Sequence, residues 1–342
     1  MRTVFLGTSD FAAAVLARLA GEQLVKGQGL GEGSDLGEAS DPGEGSDPGE
    51  SEQLGRAYPA RHRPVLVLTR PDRPAGRGRR LASPPVADAA RMLGLELAQP
   101  QSVNDPAVRE AIASLSPDAL VVCAFGALIK EPLLSGYEML NLHPSLLPRW
   151  RGAAPIERAI MAGDERTGTS IMRLTAGLDS GPVCLTASEP IRPDDTFGSL
   201  AARLERTGGE LLVSVLDMLE GGEQLPFAEQ DERLVTYAEK IGPADRLLDP
   251  SRPAAELERV VRALNPHIGT RVALPDGTQL GVRRSRLASL PGSEDIDGVY
   301  AHEGKLLLGC ADGALELLEV QPAGKRSMDA GAFLRGRGLP SP

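Results

Sequence analysis

The stretch Asp118 to Ala124, DALVVCA, has no polar side chain after its first residue except a cysteine. An apolar run this short, with paired valines at its centre, reads as a strand buried on both faces, and such strands sit inside parallel sheets covered by helices. Upstream, Pro106 to Leu115 reads as a helix, and downstream Met139 to Leu142 reads as another short strand. Farther out, PVLVLT (Pro64 to Thr69) is a strand, and Pro85 to Leu93 is a helix with Val86 and Ala90 four apart. Near the start, Thr3 to Leu6 is a strand that passes through Gly7 into a helix from Asp10 to Ala20. Strand and helix alternate, so the expectation is α/β: a Rossmann-like, mainly parallel sheet wrapped by helices. Thr196 is expected to cap a helical stretch running, with a break near Gly208, to about Glu220.

The pattern changes after residue 225. Pro253 to Leu264 is an amphipathic helix with Leu257, Val260, Val261 and Leu264 on one face. Short apolar runs then alternate with turns: Arg271 to Leu274, Gln279 to Arg283, Gly298 to Ala301, Lys305 to Leu308 and Ala314 to Val320, separated by signals such as Asp276-Gly277 and Asp312-Gly313. These predict a small antiparallel β-barrel of the oligonucleotide-binding (OB-like) type. The expected division is residues 1–205 for the α/β domain, 206–225 for a connecting helix and linker, and 226–342 for the barrel domain.

Composition narrows the classes. The longest wholly apolar run, Ala119 to Ile129, is 11 residues, against about 20 for a membrane helix, and the opening residues do not form a signal peptide. Cys123, Cys184 and Cys310 are far apart, which excludes a paired-cysteine zinc site and a disulfide framework and points to the cytoplasm. No metal-ligand cluster stands out. The net charge is −10, but residues 31–52 hold eight acids and no base, so the rest of the chain is at −2. A basic patch on that body is therefore compatible with the total. The acidic tract repeats GEGSDL, GEASDP, GEGSDP and GESEQL. Acid, Gly, Ser and Pro bury no core, so residues 27–57 are read as a disordered insertion. A stacked calcium-binding repeat would need an apolar position that is missing.

The segment NLHPSLLPRWRG (Asn141 to Gly152) leaves a strand at its start. Ligands in open α/β sheets bind beyond the carboxyl ends of strands, and Asn141 and His143, two apart, point to one face. An amide donor and a titratable imidazole are then aimed at one spot. Taken alone, the histidine reads as a hydrogen-bonded group at a polar strand end. Gly177-Leu178-Asp179-Ser180-Gly181 follows a strand at Thr169 to Leu174 and sets an aspartate on a glycine-bounded loop; by itself this is an ordinary turn residue. Together, Asn, His and Asp suit acyl transfer without a covalent intermediate, with donors for an oxyanion and an acid–base pair.

The run NLHPSLLPRWRGAAPI (Asn141 to Ile156) followed by GLDSG resembles the folate-dependent formyltransferases, and among them those that formylate methionyl-tRNA. GTSDFA (Gly7 to Ala12), TRPDRPAGRGRR (Thr69 to Arg80), VTYAEKI (Val235 to Ile241) and QPAGKRSM (Gln321 to Met328) extend the likeness over nearly the whole chain. Ser9 stands where the family usually has proline, Phe125 where tyrosine is common, and the acidic repeat is foreign to the pattern. The resemblance implies 10-formyltetrahydrofolate as co-substrate, no metal, and the initiator methionyl-tRNA as partner of a cytoplasmic monomer. It implies Asn141, His143 and Asp179 as the catalytic set, and Ser145, Leu146, Leu147, Pro148, Phe125 and Gly126 as folate-lining residues. Arg73, Arg77, Arg79 and Arg80, with Arg149 and Arg151 near the same rim and Lys325 after the barrel, are expected to meet the tRNA phosphates. Two other readings stay open. One is a formyltransferase for a small amine such as a glycinamide nucleotide or an amino sugar nucleotide. The other is a non-catalytic RNA-binding protein.

Overall fold

In a computed structural model, residues 1–22, 62–75, 80–289 and 298–336 are described. The acidic repeat, Arg77 and Arg79 lie outside them. The first half of the chain runs β1 (Thr3–Gly7), α1 (Asp10–Leu19), β2 (Leu66–Leu68), β3 (Arg73–Ala75), β4 (Arg80–Ala82), α2 (Pro85–Met92), β5 (Leu97–Ala98), α3 (Pro106–Ser114), β6 (Ala119–Cys123) and α4 (Leu133–Gly136). Then come β7 (Glu138–His143), β8 (Arg151–Gly152), α5 (Pro155–Ala162), β9 (Arg166–Arg173), β10 (Val183–Pro190) and α6 (Phe197–Glu220).

Seven of these strands form one sheet in the order β10-β9-β7-β6-β1-β2-β5. The pairs from β7 through β5 are parallel, while β9 and β10 are antiparallel additions at one edge. β1 and β6 are buried along their whole length, as the apolar runs predict. β10 was not anticipated: VCLTASEP mixes polar residues into an edge strand that is only partly buried. Helix α5, also not anticipated, starts with Pro155 in its first turn and stops at Gly163 in the left-handed conformation.

Helix α6 corrects a sequence expectation. It is unbroken over 24 residues, straight through Gly208 and the expected 205–206 boundary. The reason is packing. A Cβ at Gly208 would come within 3.0 Å of Thr169 Cγ2 and 3.2 Å of Leu142 Cδ1. The glycine lets the helix backbone approach β7 and β9, and tertiary burial outweighs its poor helix propensity.

Beyond α6 the chain makes β11 (Tyr237–Ala238), α7 (Ala254–Ala263), β12 (Thr270–Ala273), β13 (Gln279–Ala288), β14 (Gly298–His302), β15 (Lys305–Cys310), β16 (Gly313–Pro322), β17 (Met328–Asp329) and α8 (Ala330–Arg335). Strands β12 to β17 form a curled antiparallel sheet, a half-barrel ordered β12-β13-β16-β15-β14 with β17 on β16. Leu257, Val260, Val261 and Leu264 of the expected amphipathic face pack into its core with Val282, Leu315 and Leu317. Residues 226–238 do not belong to this sheet. Ala228 bridges to Val183, and β11 lies parallel to β8, pairing Tyr237 with Arg151 and Ala238 with Gly152. Among the described residues no helix is long and apolar enough to cross a membrane.

Candidate active site

Strand β7 carries Asn141 and His143 to the carboxyl edge of the sheet, both nearly buried at 7% and 5% exposed. Among the described residues the Asn141 amide has no hydrogen-bond partner, so its donors are uncommitted. His143 Nε2 is 2.8 Å from the carbonyl of Trp150 and must be the donor there, because a carbonyl only accepts. His143 Nδ1 faces Asp179 Oδ2 at 3.7 Å. That is too long for a hydrogen bond, and it leaves Nδ1 free to engage a third group.

Asp179 sits on the loop between β9 and β10 with φ of 45°, in the left-handed region unusual for a residue with a side chain. Its Oδ2 accepts the backbone N–H of Gly152 at 2.8 Å. Gly152 has φ of 121°, and a Cβ there would meet the Ala238 carbonyl oxygen at 2.7 Å; only glycine fits both constraints. The structure therefore brings together the three residues singled out from sequence.

Of the six expected folate-lining residues, Leu147 and Pro148 line the open cleft on this side of the sheet, and the other four do not line it. Ser145 is fully buried, and its hydroxyl donates to the Arg149 carbonyl at 2.6 Å, fixing the turn rather than facing a ligand. Leu146 packs against Gly168. Leu147 and Pro148 line an open cleft of about 440 Å³ with Cys184, Leu185, Pro226 and Ala228. Burial raises the Cys184 thiol pKa there, Glu138 adding to the rise and Arg173 opposing it. The catalytic trio, Phe125 and Gly126 do not line that cleft. Phe125 is buried in the core, and its carbonyl accepts the Thr8 hydroxyl. Gly126, exposed and with φ of 66°, lies under the Arg70 guanidinium.

The basic residues also divide. Arg73 is exposed on β3, Arg80 lies on β4 of the same hairpin, and Lys325 is exposed in the turn after β16. Arg149 is held by Asp164 through two hydrogen bonds and lies 4.4 Å over the Trp150 ring; the bonded carboxylate raises its pKa. Arg151 must be corrected outright. It is 3% exposed, and its guanidinium is bonded to Gln230 and Glu232, so it is not presented to a nucleic acid. Both partners lie about eighty positions downstream, beyond any local signal.

The absence of a metal-ligand cluster, as read from sequence, also needs amending. His62, Asp217 and Glu220 bring ligand-type atoms within 4.8 Å of one another. These atoms are engaged already: His62 Nε2 with Asp217 at 2.9 Å, and Glu220 with the Met1 ammonium. The group lies at the end of α6, away from Asn141.

Residues 52–216 match the family model described as formyl transferase, and residues 240–338 match its C-terminal domain. The trio falls inside the first match. A methionyl-tRNA formyltransferase of Halorhodospira halophila is 44% identical over 281 residues, covering 81% of this chain and 89% of that protein. The chain belongs to the methionyl-tRNA formyltransferase family. A second relative of the same name, from Paracoccus denitrificans, is 43% identical over 83% of this chain and 93% of its own length. Among solved structures, an N-formyltransferase from Helicobacter canadensis, in complex with folinic acid and dTDP-3-aminofucose, superposes with a TM-score of 0.58 at 12% identity, covering 92% and 98% of the two chains. HypX from Aquifex aeolicus in complex with tetrahydrofolic acid gives 0.56 at 17% identity over 75% of this chain and 45% of that one. These last two share the fold. Residues 217–239, between the two matched domains, include Gln230, which sequence reasoning missed. Nothing in the periodicity marks a lone polar residue in a connecting segment.

Proposed function

We propose that this chain transfers the formyl group of 10-formyltetrahydrofolate to the α-amino group of initiator methionyl-tRNA, in the cytoplasm. The observation that carries the chemistry is the uncommitted Asn141 amide on the same strand face as a histidine whose Nδ1 looks at Asp179 across 3.7 Å. The folate supplies the formyl carbon, and the neutral amine of the aminoacyl end attacks it. Asn141 donates its amide N–H to the oxygen that becomes negative. His143, protonated, shares its Nδ1–H between that oxygen and Asp179. Asp179 stabilises the imidazolium and, through a water, passes the proton lost by the amine to the departing folate nitrogen. Donors fixed before reaction stabilise developing charge without reorganising, which is why a buried, preset amide is effective. Phe125 and Gly126 are assigned to the folate side of the site. Arg73, Arg77, Arg79, Arg80 and Lys325 are assigned to the phosphates of the acceptor arm.

The test is a formyl-transfer assay with initiator methionyl-tRNA, elongator methionyl-tRNA, a glycinamide nucleotide and an amino sugar nucleotide as acceptors. Transfer to the initiator species at the highest kcat/KM supports the reading. Preference for either small amine overturns it.

A further inference from the structure

We propose that Gln230 is a positioning residue for Asp179, so that the segment joining the two matched domains sets the geometry of the reacting carboxylate. The inference rests on the function proposed above. Gln230 Nε2 donates to the Asp179 carbonyl at 2.8 Å and to the Gly181 carbonyl at 2.7 Å. Its Oε1 accepts Arg151 Nε at 2.9 Å. The amide orientation follows from chemistry: two carbonyls can only accept, and a guanidinium can only donate. Both amide hydrogens are thereby used. Arg151 is itself fixed by two contacts to Glu232 at 2.8 and 3.3 Å.

The residue after Arg151 completes the grip, because Gly152 N–H holds Asp179 Oδ2 at 2.8 Å. The Asp179 loop is therefore held at the Asp179 carbonyl, the Asp179 carboxylate and the Gly181 carbonyl. This grip acts on a residue whose φ of 45° is unfavourable by itself. Backbone in that region persists only where its surroundings overdetermine it. Without Gln230 the loop has a reason to relax, and relaxation carries the carboxylate away from His143. The Gln230 amide bonds to Asp179, Gly181 and Arg151 and to neither His143 nor Asn141, so its effect on the reaction passes through Asp179.

The test uses the full chain with Gln230→Glu, Gln230→Met, Asp179→Ala and the double variant Gln230→Glu/Asp179→Ala. Glutamate keeps the shape but turns an oxygen on two carbonyl oxygens, and methionine keeps the volume without the amide. Each single Gln230 variant is expected to lower kcat about 10²-fold, the scale of a misplaced catalytic group, with the KM for the folate within about twofold. In the Asp179→Ala background, adding Gln230→Glu should change kcat by less than about twofold, because the two changes act through one group. Amide hydrogen exchange across residues 174–183 should quicken in both Gln230 variants while the melting temperature marks the fold as intact. Unchanged exchange overturns the inference whatever the activity. So does an undiminished kcat in the Gln230 variants while Asp179→Ala is impaired, or a full additional loss in the double variant. If Asp179→Ala itself formylates at the wild-type rate, the proposed function fails, and exchange still reads whether Gln230 holds the loop.

Discussion

His143 turns one ring nitrogen to the Trp150 carbonyl at 2.8 Å and the other to Asp179 at 3.7 Å, so Asp179 faces the ring nitrogen that the carbonyl leaves unused. Asn141→Ala and His143→Ala should each lower kcat by about 10² or more, the cost of losing an oxyanion donor. The KM for the folate should change little. Asp179→Asn keeps the shape and removes the charge that faces His143 Nδ1, and a comparable loss is expected. Steady-state kinetics with saturating initiator methionyl-tRNA decide it, and wild-type turnover in the His143 variant would refute the role given to the imidazole.

Arg73 and Arg151 should separate under salt. Arg73 is exposed, and if it meets a phosphate, Arg73→Ala should flatten the slope of log kcat/KM against log salt by about 0.9, the release expected per contact. Arg151→Met should leave that slope alone, since the native side chain is 3% exposed, and should instead lower kcat. A salt series of single-turnover formylation measures both. An unchanged slope in the Arg73 variant removes that arginine from the tRNA track.

Gly208→Val should destabilise the protein by about 1–3 kcal/mol, the usual cost of overpacking. The new side chain would push on Leu142, which sits between Asn141 and His143 on β7. Turnover should therefore fall further than at an equally destabilised position in the half-barrel. Thermal unfolding beside kcat shows whether the two effects travel together.

Arg203 binds Glu189 at 2.6 Å and Asp195 through two contacts at 2.6 and 2.7 Å. Burial pushes the Asp195 carboxyl up, but hydrogen bonds from Arg203, Ser199 and the Arg192 backbone prevail and bring it down to about 2 from 3.8. A carboxyl depressed on folding stabilises the native state above the unfolded pKa, and the gain disappears as pH falls through the folded one. The contribution is about 2 kcal/mol, lost between about pH 4 and pH 2. Arg203→Met should cost about 3–5 kcal/mol at neutral pH by leaving buried carboxylates unpaired. It should also remove this acid-limb dependence, as urea unfolding at a series of pH values will show.

Burial raises the Cys123 thiol well above the usual cysteine range, with Glu205 adding to the rise. Cys123 should resist alkylation at pH 8 in the folded protein and react once it is unfolded, a difference that peptide mass mapping reads directly.

What was legible followed from local pattern. The strand at Ala119–Cys123 declared itself because both its faces are buried, and the Asn141–His143 pair because period two puts it on one side. The break expected at Gly208 was wrong because glycine has opposite meanings in isolation and under close packing, and only Leu142 and Thr169 tell them apart. The edge strand Val183–Pro190 hid behind its alternating polar residues. Arg151 read as exposed because the residues that bury it come from a distant stretch. Ser145 read as a pocket wall although its hydroxyl closes a turn inside the protein.

The parallel pairing of Tyr237 with Arg151 bears on how the chain can be cut. Gly221 to Glu223, just after α6, is exposed. Downstream of it, Ala228 is laddered to Val183, Gln230 to the Asp179 loop, and Arg158 of α5 to Asp245 at 2.8 Å. Arg259 of α7 donates to the Met161 carbonyl. A protease nick at Gly221–Glu223 would sever one peptide bond and leave all of these in place. The two pieces should migrate as a single species until denatured. Expressed separately they are a natural pair for fragment complementation, with formyl transfer returning only when both are mixed.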